Sequence, residues 1–144
     1  MCTAVDRRLF FLLHRAHLAL LAHANTRTLA ALGVSSSQLA TIYFVAKHGG
    51  ASLTEIADTL DLNKSAVSGM LGRLESAGLV RRQPDPQDGR GSQVFLTAKG
   101  DAVRTASLPL VRQLTAELTA GFDVAEIETV TRFLNSIVDR LGQA

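Results

Sequence analysis

Apolar residues recur near helical spacing in the first quarter of the chain, at Leu9, Leu13, Leu20, Leu21 and Ala24. The pattern predicts one long helix over residues 5–32, stopped by Gly33. It is apolar over too much of its circumference for a solvated helix, so its surface calls for a partner. A second helix is expected over 36–47. Towards the C-terminus, Leu108, Val111, Leu114 and Leu118 mark one stripe, and Ile127, Val130, Leu134, Ile137 and Leu141 mark another. They predict helices over 101–119 and 123–141 with Gly121 between them, the second opened by an Asp123/Glu126 capping box. Pro109 removes a backbone donor inside the first of these, and is expected to kink the helix near 106–109 or to split it.

The middle of the chain is patterned differently. Ser52-Leu53-Thr54-Glu55 has capping-box spacing and predicts a short helix ending at Leu60, with Asp61 and Leu62 as the turn. Asn63 is a suitable N-cap for a following helix whose buried face is Val67, Met70, Leu71 and Leu74. Those positions send Lys64, Ser65, Ser68, Gly69 and Gly72 outward. Glycine costs about 1 kcal/mol of helix propensity relative to alanine, so two on one exposed face imply close approach by something. A solvated face of small residues is the plainer alternative.

Behind this helix, residues 79–82 and 93–97 alternate as two short strands around a tip bounded by Pro and Gly and carrying Arg90. Two short helices followed by such a hairpin make a winged helix-turn-helix. The common use of that architecture is to place a helix in the DNA major groove and a basic wing residue in the minor groove. The fold class expected is mainly α with a small β-hairpin. Residues 35–100 would form the winged helix-turn-helix, and 1–34 with 101–144 a helical dimerisation region in which the terminal helices bury each other across two chains; a helical core within a monomer is the plainer alternative.

Composition limits this picture without redirecting it. The 144 residues are 47% hydrophobic, enough for one modest domain or a small domain with an oligomerisation element. Net charge is only +2. Seven basic residues (Lys64, Arg73, Arg81, Arg82, Arg90, Lys99, Arg104) and four acidic ones (Glu75, Asp85, Asp88, Asp101) nevertheless fall within 64–104, a local excess of +3. A single Cys rules out an internal disulfide framework and fits a reducing compartment. His14, Arg15, His17 and His23 interrupt the apolar run 9–24, which offers neither a cleavage site nor a membrane span, so a cytoplasmic protein is expected.

Ser52-Leu53-Thr54-Glu55-Ile56-Ala57, Lys64-Ser65-Ala66-Val67-Ser68-Gly69, Arg73-Leu74-Glu75, Gly78-Leu79-Val80, Asp85-Pro86-Gln87-Asp88-Gly89-Arg90 and Leu96-Thr97-Ala98-Lys99-Gly100 stand in the order and spacing of the MarR family of bacterial transcriptional regulators, which this chain resembles over about a third of its length. The resemblance implies a homodimer that binds a pseudo-palindromic double-stranded DNA operator, commonly as a repressor released by a small molecule, an oxidant or a metal. It places Ser65 and Ser68 on the recognition helix in the major groove, Arg73 near a phosphate, Asp88 as the brace of the wing and Arg90 as its minor-groove residue; the capping residue Asn63, Lys64 as a phosphate contact and the outward Gly69 complete the candidate DNA-binding residues. Gly89 stands where a second basic residue is frequent, which implies a weaker grip by the wing.

The regulatory signal is less legible. Arg15, His17, Tyr43, Phe44 and His48 are the candidates for an effector pocket, where the first two helices meet the DNA-binding part. They serve equally as packing residues. His14 and His17 lie one helical turn apart, with His23, His48 and Cys2 as further donors, but nothing in the C-terminal helix completes a site, so no metal or cofactor is expected. Cys2 stands at the extreme N-terminus, where little lowers a thiol pKa. No nucleophile–base pair, paired carboxylates or phosphate loop is present, which argues against an enzyme. A winged-helix protein-interaction module, and a metal- or redox-responsive regulator of the same fold, are the alternatives.

Overall fold

The computed structural model describes residues 7–142, in the order α1 (Leu9–Leu32), α2 (Ser36–Lys47), β1 (Ala51–Ser52), α3 (Leu53–Leu60), α4 (Lys64–Ser76), β2 (Val80–Pro84), β3 (Ser92–Leu96), α5 (Ala98–Thr119) and α6 (Val124–Leu141). Most helix starts follow from local chemistry. Ser52 Oγ accepts from the Glu55 amide while Glu55 Oε2 accepts from the Ser52 amide, both at 3.1 Å. The same reciprocal box forms at Asp123/Glu126, as its spacing predicts, and at Ser35/Gln38. Asn63 Oδ1 caps α4 by accepting from the Ala66 amide at 2.7 Å. Gly33 ends α1 in the left-handed region at φ 71°, and Asp61 ends α3 there at φ 52°.

Two compact units divide at Leu110 and Val111. In the first, the strands form an antiparallel sheet in the order β1-β3-β2. The hairpin was expected; β1 was not, because two residues cannot display an alternation, and Ala51 becomes a strand only by pairing with Val94. Ile42, Val45, Ile56, Val67, Leu71, Leu74, Val80 and Val94 are almost fully buried together, so α2, α3, α4 and the sheet share one core. All four residues assigned to the inner face of α4 are in it.

The start of α5 is set by Thr97. Its Oγ1 accepts from the Gly100 amide at 3.0 Å and donates to the Gly78 carbonyl at 2.6 Å. The helix therefore begins at Ala98 rather than near Asp101. Pro109 does not split it, since α5 runs unbroken to Thr119. Thr105, whose carbonyl loses its donor, and Pro109 are both exposed, where water can take over the missing bond. Predicted helical residues Val5 and Asp6 lie outside the described residues. The second unit, the rest of α5 with α6, buries no α6 residue. Among the described residues, no single helix is long and apolar enough to cross a membrane.

Candidate nucleic-acid interface

Helix α4 presents Lys64, Ser65, Ser68, Gly69 and Arg73 to solvent, with Gly72 half-buried. A Cβ on Gly69 would come no closer than 3.6 Å, to Arg73 Nη1, and one on Gly72 no closer than 3.9 Å, to Arg82 Nη2. Both are ordinary contact distances. Nothing among the described residues requires glycine at either position, so their smallness serves whatever approaches from outside.

The hairpin of β2 and β3 is held in register from Val80↔Leu96 to Pro84↔Ser92. Its tip closes by bonds from the Asp85 amide to the Gly91 carbonyl and from the Gly91 amide to the Asp88 carbonyl, each 3.0 Å. Two carboxylates tighten it: Asp85 Oδ1 accepts from the Gln87 amide at 2.9 Å, and Asp88 Oδ1 from the Arg90 amide at 3.1 Å. Asp88 therefore braces the backbone of Arg90 and leaves the guanidinium free. Gly89 faces open space, so a larger side chain would fit there.

The structure sorts the seven basic residues of 64–104 by what they already hold. Arg81 lies over the Phe95 ring at 4.6 Å, Arg82 Nη2 donates to the Ser68 carbonyl at 3.2 Å, Lys99 Nζ donates to the Ala77 carbonyl at 2.9 Å, and Arg104 pairs with Asp101 at 2.8 Å. Among the described residues, Lys64, Arg73 and Arg90 have no such partner and are exposed. Three uncommitted cations on α4 and the wing are what a polyanion needs, because phosphate contacts then replace solvent rather than existing ion pairs. The model of the MarR family matches residues 32–91, a span that contains α4 and nearly the whole wing. The reduced form of MarR from E. coli is 30% identical, with 90% of this chain and 96% of that one covered and a TM-score of 0.78.

The chain belongs to the MarR family. A mutant MarR from E. coli complexed with operator DNA is 26% identical with a TM-score of 0.83, over 92% of this chain and 94% of that one. The HTH-type transcriptional repressor NicR of Pseudomonas putida is 27% identical over 106 residues, which span 74% of this chain and 67% of NicR. This MarR-family protein is a DNA-binding transcriptional regulator, not an enzyme.

The five effector candidates of this MarR-family regulator are not gathered into one cavity. Tyr43 lines an open cleft of about 710 Å³ together with Lys47, Arg81, Phe95, Leu96 and Arg104. Ser107 Oγ donates to the Arg104 carbonyl at 2.6 Å, so the 2.7 Å bond between Tyr43 and Ser107 has the phenol as donor. Phe44 and His48 stack on each other at 4.7 Å, one helical turn apart. Arg15 and His17 are exposed on α1 and do not line the cleft. Among the described residues, no group of three or more His, Cys, Asp or Glu is placed to hold a metal, and Cys2 lies outside them. Arg81 and Arg82 were not singled out in the sequence as site residues, although consecutive strand residues must point to opposite faces.

Proposed function

We propose that the protein is a cytoplasmic repressor that binds a pseudo-palindromic operator as a homodimer. In this reading, Asn63, Lys64, Ser65, Ser68, Gly69 and Arg73 act at the major groove, and Arg90, braced by Asp88, acts at the minor groove. The observation that carries it is the set of uncommitted cations Lys64, Arg73 and Arg90 around an outward α4 face of small residues. Dimerisation through 1–34 and 101–144 is supported by apolar side chains left in solvent on both terminal parts. Phe10, Phe11, Leu18 and Leu21 are exposed on α1, and Leu118, Phe122, Val138 and Leu141 in the second unit. A single chain does not leave that much apolar surface wet without a partner for it.

Selection of bound fragments from genomic DNA, followed by footprinting, tests the reading. Two protected half-sites roughly 10 base pairs apart are expected. Protection of one half-site at every protein concentration would argue for a monomer, and binding insensitive to salt would argue against DNA altogether. Release by a small molecule is part of the proposal. Its site is the cleft beside Tyr43, with Phe44 on the same helix, His48 at that helix's C-cap, and Arg15 and His17 on α1 as the other candidates.

A further inference from the structure

The recognition helix and the wing lie on different elements, and one side chain ties them together. Arg82 sits on β2 opposite Val94, and Val94 is in turn opposite Ala51, so the three residues form a row across the full width of the sheet. Val94 and Ala51 are buried in the core, whereas Arg81 and Phe95 of the neighbouring row meet on the other face. Arg82 therefore occupies a core-facing position. From there its Nη2 donates to the Ser68 carbonyl, on the turn of α4 that also carries Ser65 and Gly69.

This is an expensive way to fill a core-facing strand position. Arg82 Nε is buried without a hydrogen-bond partner, and among the described residues no carboxylate pairs with the guanidinium. An apolar residue of similar length would leave no buried donor unpaired. What Arg82 adds is geometry. Beyond the row of Gln83, Gln93 and Ser52 the hairpin has only two strands, with Pro84↔Ser92 as its last pair, so its tip can tilt, whereas the three-stranded row through Arg82 cannot tilt relative to α4 without breaking the bond to Ser68.

We infer that Arg82 is a positioning residue for DNA recognition, which holds the wing and the recognition helix in one fixed register so that both engage the operator at once. The inference rests on the DNA-binding reading of α4 and the wing. It makes the contributions of the two elements interdependent. With the tie intact, helix contacts place Arg90 over its groove at no further ordering cost; with it removed, each element binds on its own.

The test uses the full chain, a duplex selected by the wild-type protein from a randomised pool, and a scrambled duplex of the same composition. Affinities of wild type, Arg82→Met, Arg90→Ala and the double variant are measured at several salt concentrations, below the unfolding transition of each. Arg82→Met is expected to weaken binding to the selected duplex about tenfold, with the scrambled duplex and the salt slope changed by less than about twofold. Arg90→Ala is expected to cost about tenfold alone but about threefold or less in the Arg82→Met background. If Arg82→Met does not fold, Arg82→Gln carries the same comparison with a smaller loss.

Equal weakening on both duplexes with a shallower salt slope would make Arg82 a phosphate contact and overturn the inference. So would a lower melting temperature with the full cost of Arg90→Ala retained, because a merely structural role leaves the two sites additive. A wild-type protein that does not distinguish the duplexes would instead remove the DNA-binding reading, and this inference with it.

Discussion

Two residues show how differently position acts on a side chain. Among the described residues the exposed Arg90 guanidinium has no hydrogen-bond or ion-pair partner while Asp88 holds its backbone, so it is disposable for the fold. Arg90→Ala is expected to weaken operator binding at least about tenfold and leave the melting temperature within about a degree, checked by titration at fixed salt and by thermal unfolding. Gly100 is the reverse case. A Cβ there would overlap the Leu79 carbonyl oxygen and press on Leu96 at 2.6 Å, because α5 packs its first turn against the start of β2. Gly100→Ala is expected to destabilise the protein by about 2–3 kcal/mol, read as a lowered denaturant midpoint. Both residues stand in motifs of the family pattern. The structure separates the one that serves the ligand from the one that serves the chain.

Among the elements, α4 carries the conflict between stability and recognition. Its N-cap, Asn63, and its buried face follow from spacing alone, and its C-terminus is closed by two features that spacing does not reveal. Gly78 turns the chain at φ 76°, and Lys99, 22 residues on, donates to the Ala77 carbonyl. A cation at a helix C-terminus also suits the helix dipole, so Lys99 is committed to the fold rather than to DNA. Nothing among the described residues explains Gly69. Gly69→Ala is expected to stabilise the protein by about 0.5–1 kcal/mol while reducing operator affinity. Opposite signs in calorimetry and in DNA titration would identify the glycine as a concession to close approach. Equal or improved affinity would return it to the solvated-face alternative.

At the scale of the whole molecule, the question is what covers the terminal helices. Thr28 is the one buried residue of α1, and α6 has none, although α1 is rich in leucine and α6 in valine, isoleucine and leucine. Size-exclusion chromatography with light scattering should show a dimer. Leu118→Glu combined with Val138→Glu should shift it to monomer and abolish simultaneous protection of two half-sites, because a charge buried in an apolar interface without a partner is strongly unfavourable. A dimer unaffected by both changes would place the interface elsewhere. The cleft beside Tyr43 belongs to this scale too, since Tyr43 on α2 and Ser107 on α5 are joined across 64 residues of sequence.

What the sequence by itself determined rests on neighbours a few residues apart. The capping boxes at Ser52 and Asp123, the Asn63 cap, the buried face of α4, the hairpin and the stop at Gly33 all follow from local hydrogen-bond chemistry and periodicity. The architecture that they compose follows with them. The tertiary structure alone decided which cations are free. Arg81, Arg82, Lys99 and Arg104 look equivalent to Lys64, Arg73 and Arg90 as letters, and become committed only when Phe95, Ser68, Ala77 and Asp101 are brought beside them. The same holds for β1, whose two residues form a strand only against Val94 and Gln93. Most of these partners are distant along the chain, and even the near pair Arg104 and Asp101 is settled by side-chain geometry that composition does not carry. Charge counted along a sequence therefore sets an upper limit on what a ligand can use, and packing decides how much of it is left.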